Sequence, residues 1–279
     1  MLTRLREGTP DAAREGRAES AAAAPDAVGA PVHVRDVGHS FGELRAIERI
    51  DLEIEPGEVV GIVGPSGCGK TTLLELVAGL RSSDSGTVSV GGKKAEDERL
   101  ARCAYMPQRD LLLPWLSALD NAALALRIAG VPRHEARARA GEHFARLGLE
   151  GFENTRPDEL SGGMRQRVAF LRTLMAGRPV LLLDEPFASL DAITRAEMQS
   201  WLARVLDPDR HTVLLVTHDV EEALYLSDRV LVLSSRPARV ADRIEIGATR
   251  APDRAAAVTA SEFTALKERA LRSLAEGAR

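Results

Sequence analysis

A glycine-rich loop at residues 64–71 places the strongest limit on how this chain can fold. The loop reads GPSGCGKT; an apolar run at residues 58–63 precedes it and a helical run at residues 72–80 follows directly. This strand, loop and helix order is typical of a phosphate-binding loop, in which backbone N–H groups and the start of a helix surround phosphate oxygens. The sequence therefore predicts an α/β nucleotide-binding domain built around the loop.

The residues of this loop have distinct predicted roles toward ATP and Mg²⁺. Glycines let the backbone turn its N–H groups inward, Lys70 reaches the terminal phosphates, and Thr71 is a predicted Mg²⁺ ligand. The predicted nucleotide contacts here are Gly64, Pro65, Ser66, Gly67, Cys68, Gly69, Lys70, Thr71 and Thr72. A loop of purely structural purpose is the alternative, which the flanking strand and helix disfavour.

A pair of carboxylates follows a second apolar run, at residues 180–183. Mg²⁺ binding and hydrolysis need such a second strand end beside the phosphate loop. Asp184 is predicted to hold Mg²⁺ through water, and Glu185 to orient or deprotonate the attacking water. The alternative is that both carboxylates cap the turn at Pro186.

The pattern of apolar residues predicts the layers of the fold. Residues 32–37 and 50–54 alternate between apolar and polar, as in half-buried antiparallel strands. Continuous apolar runs at 58–63, 180–183, 213–216 and 230–233 are typical of strands buried on both faces of a parallel sheet. We therefore expect a P-loop NTPase core of the α/β class with a mainly parallel sheet, an antiparallel β subdomain and a helical subdomain.

The chain divides into three predicted parts. Residues 1–30 are poor in large apolar side chains and are predicted to be a disordered leader, with a transient Ala-rich helix as the alternative. Residues 31–235 form the nucleotide-binding unit, in which about 109–177 is the helical subdomain, broken at Pro132. Residues 236–279 are an extension that ends in a packed helix. Thr259 and Glu262 are predicted to form its capping box, with an apolar face that comprises Phe263, Leu266, Ala270 and Leu274.

Composition excludes several classes of function. The formal charge of -4 gives no basic field for nucleic acid, so none is expected as a partner. The two cysteines suit a reducing compartment and have no metal-ligand spacing. The sequence has no apolar run of about 20 residues, the length that crosses a bilayer, and no secretory signal. We expect a protein that is soluble when isolated, unless a partner holds it at a membrane.

The order of the motifs resembles the nucleotide-binding subunits of ATP-binding-cassette transporters. The residues that carry the resemblance are the loop at 64–71, Gln108, LSGGM at 160–164, Asp184 and Glu185, SLD at 189–191, and His218. In that family two cassettes face head to tail, and each ATP lies between the phosphate loop of one subunit and the LSGGM loop of the other. The resemblance implies a homodimer in which Ser161, Gly162 and Gly163 donate hydrogen bonds to the partner's nucleotide.

The resemblance also implies roles for four further residues. Gln108 matches a loop residue that contacts Mg²⁺ and water and senses the membrane subunit, and His218 matches a histidine that contacts the γ-phosphate. Asp191 matches a residue that crosses the dimer interface, and Phe41 an aromatic that stacks on adenine. The residues alone leave purely structural roles open as alternatives: Ser161 and Asp191 as helix caps, His218 as a structural strand-end residue, and Phe41 as a core residue.

Two segments resemble one branch of the family, the importers for nitrate, sulfonate, taurine and related anions, and also hydroxymethylpyrimidine importers. The segments read RDLLLPW at 109–115 and LDEPFASLDA at 183–192. The resemblance implies two transmembrane permease subunits, an extracytoplasmic solute-binding protein that acts through them, and a location at the cytoplasmic face of the cell membrane. The LLLPW run suits a groove for a short permease helix, with Trp115 as subdomain core the alternative. An efflux ATPase, or a soluble cassette ATPase acting on nucleic acid or ribosomes, are the competing functions.

Overall fold

The computed structural model of the protein describes residues 29–188, 190–205, 211–246 and 254–278. Most of the predicted leader therefore lies outside the described residues; Ala30, near its end, is buried. The strands are β1 (Val32–Phe41), β2 (Leu44–Ile54), β3 (Val59–Val63), β4 (Ser85–Val90), β5 (Cys103–Met106), β6 (Val180–Asp184), β7 (Thr212–Val216), β8 (Arg229–Leu233) and β9 (Ala238–Glu245).

The helices surround and extend this sheet. They are α1 (Lys70–Ala78), α2 (Glu96–Leu100), α3 (Ala118–Ala122), α4 (Leu124–Ile128), α5 (Arg133–Gly141), α6 (Gly162–Leu174), α7 (Ala192–Val205), α8 (Val220–Leu226), α9 (Arg254–Thr259) and α10 (Ser261–Gly277). Short 3-10 turns lie at Ala145–Leu147 and Pro157–Glu159.

Within the described ranges the strands form one sheet in the order β4-β1-β2-β9-β8-β3-β7-β6-β5. Strands β8, β3, β7, β6 and β5 run parallel, whereas β1 pairs antiparallel with both β2 and β4. Helices of the 118–174 region precede β6 along the chain and include the LSGGM loop at the start of α6. The predicted α/β fold, with its mainly parallel sheet, antiparallel β layer and helical region, is confirmed.

The parallel strands are buried because their side chains point alternately into two apolar cores. Leu181 and Leu183 of β6 join one core with the helical region, and Leu182 joins the other with α1. All five residues of β3, β6 and β7 are buried. Because parallel strands end at one edge of the sheet, the loops after β3, β6 and β7 meet there.

The helical stretch predicted within this subdomain, at residues 119–147, contains more breaks than the one expected at Pro132. It is divided into α3, α4 and α5, and Pro132 stands directly before α5 as its N-cap residue. The predicted break at Pro132 is confirmed, since proline lacks the N–H that a helix interior requires.

The C-terminal segment contains one error of prediction and one unexpected strand. Thr259 does not cap the last helix: it ends α9, and its hydroxyl donates to the carbonyls of Ala255 and Ala256. The hydroxyl finds acceptors within its own helix, so the capping box is wrong. The packed final helix is confirmed, because Phe263 and Ala270 of α10 are buried. Strand β9 lies between β2 and β8. The division at residues 235 and 236 stays a prediction.

Candidate functional site

The phosphate loop connects β3 to α1 and is shaped by glycines in the left-handed region. Gly67 has φ 72° and Gly69, the residue before α1, has φ 121°. A residue with a Cβ is strained in such conformations. Lys70 is buried, and its Nζ donates to the carbonyl oxygens of Gly64 at 2.8 Å and Pro65 at 3.0 Å. The ammonium group is therefore held over the loop.

Three further side chains of the loop differ in exposure. Ser66 faces solvent, whereas Cys68 and Thr72 are buried. Burial raises the pKa of the Cys68 thiol, against the opposing effect of the Lys70 charge. At neutral pH the thiol is accordingly protonated.

Thr71 and Asp184 meet across the gap between α1 and β6. The Thr71 hydroxyl donates to Oδ2 of Asp184 at 2.8 Å. Asp184 is 2% exposed, and burial raises its pKa, while the bond from Thr71 acts in the opposite direction. The structure thus joins the two predicted Mg²⁺ ligands by one charge-assisted hydrogen bond.

Glu185 is the point at which the predicted catalytic side chains come together. Its Oε2 accepts from Nε2 of Gln108 at 3.1 Å and lies 3.3 Å from Nδ1 of His218. Its φ is 48°, uncommon for a non-glycine residue, and its N–H donates to Val216 of the neighbouring strand at 2.8 Å. The strained backbone aims the carboxylate between the loops after β5 and β7.

Both carboxylates of this pair therefore contact side chains of the predicted site. This favours the catalytic interpretation of Asp184 and Glu185 over a role in capping the turn at Pro186. It also favours a functional His218, whose side chain is 61% exposed rather than buried in the core.

The LSGGM loop opens helix α6. The Ser161 hydroxyl accepts from the N–H of Met164 at 3.2 Å, and α6 begins at Gly162, so Ser161 is a helix N-cap. A Cβ on Gly163 would lie 2.9 Å from a methyl of Leu190. No hydrogen bond between described residues joins Ser161 to the phosphate loop of the same chain.

Asp191 lies beside this loop, one residue after Leu190. Its Oδ1 accepts from the N–H groups of Ile193 and Thr194, both at 3.1 Å, so it caps α7. A hydrogen bond with the Thr194 side chain lowers the pKa of Asp191 most, and the bonds from the two N–H groups lower it further. Capping leaves Ser161 and Asp191 at the surface, and their roles across an interface stay predictions.

Phe41 is not a core residue. Its ring is 43% exposed and packs edge-on against His39, with the centroids 4.8 Å apart. The guanidinium carbon of Arg81 lies 4.8 Å from the Phe41 centroid, and Glu75 holds Arg81 at 2.8 Å. The core alternative is wrong, and stacking of Phe41 on adenine stays a prediction.

Sequence reasoning missed two residues that contact predicted site side chains. Tyr105 lies on β5 with its hydroxyl 3.5 Å from Oδ2 of Asp184, and Arg81 covers Phe41. Burial raises the pKa of Tyr105, and the Asp184 charge adds to this effect. The position of Tyr105 three residues before Gln108, in a strand next to β6, was the available signal.

Large apolar side chains are exposed on the helical region. Leu111 is 59% exposed and Trp115 68%, so Trp115 is not subdomain core. Arg172 fixes the backbone beneath them by donating to the carbonyl oxygens of Asp110 and Leu111. Helices that are long and apolar enough to span a membrane are absent from the described part of the chain.

Comparison with known proteins agrees with this geometry. Residues 47–188 match the family model described as ABC transporter. A formylaminopyrimidine import ATP-binding protein of Halalkalibacterium halodurans is 47% identical over 191 residues, which cover 68% of this chain and 74% of that protein. A taurine import ATP-binding protein of Chromobacterium violaceum is 44% identical over 230 residues, covering 81% of this chain and 88% of that protein.

The fold is also similar to that of a solved cassette. A dimeric ATP-binding cassette in a post-hydrolysis state, bound to ADP and phosphate, superposes with a TM-score of 0.70 at 31% identity, covering 77% of this chain and 98% of that one. The family match, the phosphate loop and the carboxylates at the end of β6 all indicate the same family. The chain belongs to the ABC transporter family, as an ATP-binding subunit whose ATPase activity is coupled to transport.

Proposed function

We propose that this chain powers the import of a small solute by closing and opening a dimer of cassettes around ATP. The observation that carries the proposal is the convergence of Gln108 and His218 on the carboxylate of Glu185, next to the Thr71 and Asp184 pair. The relatives named above act on formylaminopyrimidine and taurine. We infer a solute of that kind: a small sulfonate or nitrate-like anion, or a pyrimidine precursor.

In this mechanism Lys70 and the loop amides bind the phosphates. Phe41 stacks on the adenine ring. Glu185 orients the attacking water and accepts its proton, because its carboxylate is held by two neighbours at the end of the sheet. His218 contacts the γ-phosphate from the loop after β7, and Gln108 holds the other side of the water.

The residues present fit Mg²⁺. Among the described residues no three His, Cys, Asp or Glu side chains gather as metal ligands. In nucleotide sites Mg²⁺ needs only one or two protein oxygens, because phosphates and water occupy its other positions. Thr71 and Asp184 supply a hydroxyl and a carboxylate oxygen 2.8 Å apart, and Gln108 supplies an amide oxygen. When bound, Mg²⁺ neutralises charge on the phosphate oxygens.

The second loop serves the partner's nucleotide. Ser161 caps α6, so the amides of Gly162 and Gly163 lie in the first helical turn, where N–H groups lack intrahelical acceptors. Asp191 caps α7 close to this turn, since a Cβ on Gly163 would lie 2.9 Å from the side chain of Leu190. The loss of the γ-phosphate removes the contacts across the interface, so hydrolysis opens the dimer.

The partners of the dimer are two permease subunits at the cytoplasmic face of the cell membrane, reached by an extracytoplasmic solute-binding protein from the other side. Leu111 and Trp115 form the docking surface for a permease helix, because they are exposed beside the loop that carries Gln108. Movement of that helix is thereby passed to Glu185.

The experiment is the mass in solution of the Glu185→Gln protein, with ATP and EDTA. We expect a monomer without nucleotide and a dimer with ATP, because the variant binds ATP, lacks hydrolysis and has less charge repulsion at the interface. Glu98→Gln is the matched control, since this exposed carboxylate pairs with Lys93 on the surface and its removal should leave hydrolysis at the wild-type rate. Wild-type protein without Mg²⁺-dependent ATPase activity, even with its permease subunits, would refute the proposal.

A further inference from the structure

We propose that Arg254 and Lys267, two cations of the C-terminal helices, are positioning residues for His218. This inference rests on the proposed function, in which His218 contacts the γ-phosphate. Both cations lie outside residues 47–188, the part of the chain that matches the family model. Their contacts connect the C-terminal helices to the loop that carries the histidine.

The first step is that the position of His218 follows that of helix α8. His218 stands between β7 and α8, and the next residue, Asp219, caps α8 through bonds from the N–H groups of Glu221 at 2.9 Å and Glu222 at 3.3 Å. The N–H of Asp219 in turn donates to the Thr217 hydroxyl at 3.0 Å. The residues on both sides of the histidine are thus joined to α8 by local hydrogen bonds. A shift of α8 therefore moves His218.

The second step is that Arg254 and Lys267 hold α8 by its first turn. The Glu221 carboxylate accepts from Arg254 at 2.8 Å through one oxygen and from Lys267 at 3.0 Å through the other. The Glu221 and Arg254 side chains are only 28% and 23% exposed. Charge-assisted bonds of this kind are stronger than fully solvated surface pairs.

The third step is that Arg254 joins α8 to α7. Its Nε donates to Oε1 of Gln199 at 2.8 Å, and Nε2 of Gln199 donates to Glu222 at 3.0 Å. The guanidinium carbon also lies 5.8 Å from the ring centroid of Tyr225. A planar guanidinium can reach two acceptors on different helices at once, which a lysine ammonium at this site cannot do in the same way.

Helix α10 is itself bonded to the sheet. Arg269 of α10 donates to both oxygens of Asp242 on β9, at 3.0 and 2.7 Å, and Ser273 donates to the same carboxylate at 2.8 Å. Phe263 and Ala270 of α10 are buried on a neighbouring face of the helix. The C-terminal helices therefore connect the sheet to α8, which holds the loop of His218 in place.

The test uses the full-length protein with three variants, Arg254→Ala, Arg254→Lys and Lys267→Met, and the control Arg272→Ala. Arg272 is also on α10 but is 69% exposed, and among the described residues it pairs with Glu268, at 3.9 Å. The first readout is the imidazole signal of His218 in a proton–carbon NMR spectrum, assigned by its loss in His218→Ala. The second is kcat and KM for ATP.

We expect Arg254→Ala to move or broaden the His218 signal and to lower kcat by about threefold to thirtyfold with KM unchanged. Arg254→Lys keeps the charge and should fall between Arg254→Ala and wild type, whereas Arg272→Ala should match wild type. A purely structural role would lower the melting temperature without displacing the His218 signal of the folded fraction.

The inference is overturned if folded Arg254→Ala shows the wild-type His218 signal and kcat. If Arg254→Ala does not fold, Lys267→Met decides, because that side chain is 42% exposed and contributes only one of the two bonds to Glu221. The NMR readout needs no turnover. A wild-type protein without ATPase activity would therefore refute the proposed function, and the His218 signal would still decide on the role of Arg254.

Discussion

Replacement of Glu222 by glutamine should stabilise the protein at neutral and alkaline pH. Glu222 lies on α8 and is 3% exposed, so its ionised form is poorly solvated. Burial raises its pKa from about 4.5 to about 7, and the hydrogen bonds with Thr217 and then Gln199 offset this only in part. A glutamine carbonyl at the same position can still accept the bond from Gln199, made at 3.0 Å, but carries no charge.

Proton linkage gives the direction and the size of this change in the free energy of unfolding. Between pH 4.5 and 7 the unfolded chain has lost the Glu222 proton while the folded protein retains it, so the free energy of unfolding falls as pH rises through this window. Above pH 7 both states are ionised and the full cost remains, about 3 kcal/mol. The variant removes this cost. The free energy of unfolding of the variant should exceed that of wild type only slightly at pH 5. At pH 8 the difference should reach about 3 kcal/mol, or about 6 to 12 °C in Tm.

The measurement is the melting temperature of wild type and Glu222→Gln from pH 5 to pH 8.5 in one buffer series. The difference between the two curves isolates the contribution of Glu222 from all other titrations. Glu245→Gln serves as the control, since that carboxylate is 75% exposed, and its difference curve should stay flat. A Glu222→Gln difference that is independent of pH, or a variant less stable than wild type at pH 8, would refute the reasoning.

Three further predictions concern the loops and helix ends. Lys70→Ala should weaken ATP binding by about tenfold to a hundredfold, the loss of charge-assisted bonds, and calorimetry that shows wild-type affinity would contradict this. Both thiols should react slowly with Ellman's reagent in the folded protein at pH 7, since both are buried and burial raises the pKa of Cys68 and brings that of Cys103 to about 12; one fast thiol would show the prediction to be wrong. Gly79→Ala should destabilise more than Gly92→Ala, because both have positive φ near 80° but only at Gly79 would a Cβ meet backbone, the carbonyl of Glu96 at 2.3 Å; equal losses in Tm would exclude this steric cause.

Local patterns were enough to predict the sheet and the phosphate loop. The loop at residues 64–71 fixes its own conformation through glycines, and each buried strand is a continuous apolar run, so these features need no knowledge of distant contacts. The carboxylate pair at the end of β6 could also be predicted from local sequence. Its position follows from the strand that precedes it.

Features that depend on distant contacts were not predictable. The capping box at Thr259 failed because Thr259 ends helix α9, where its hydroxyl donates to carbonyl oxygens of that helix. Gln199, Glu222 and Arg254 meet from separate helices, and Gln199 and Arg254 are 55 positions apart along the chain. Trp115 is large and apolar, as core residues usually are. Its exposure follows from the fold, in which no described element covers it.

In the proposed mechanism, in which Lys70 binds the phosphates, ATP binding has the character of a ligand exchange. In this structure the Lys70 ammonium already has two acceptors, the carbonyl oxygens of Gly64 and Pro65. A phosphate that recruits this cation must replace bonds of 2.8 and 3.0 Å, so the affinity for nucleotide reflects a difference between two coordination sets. The same bonds hold the cation and the loop together. Each cycle can then start from an ordered cradle rather than from a loop that must refold around its ligand.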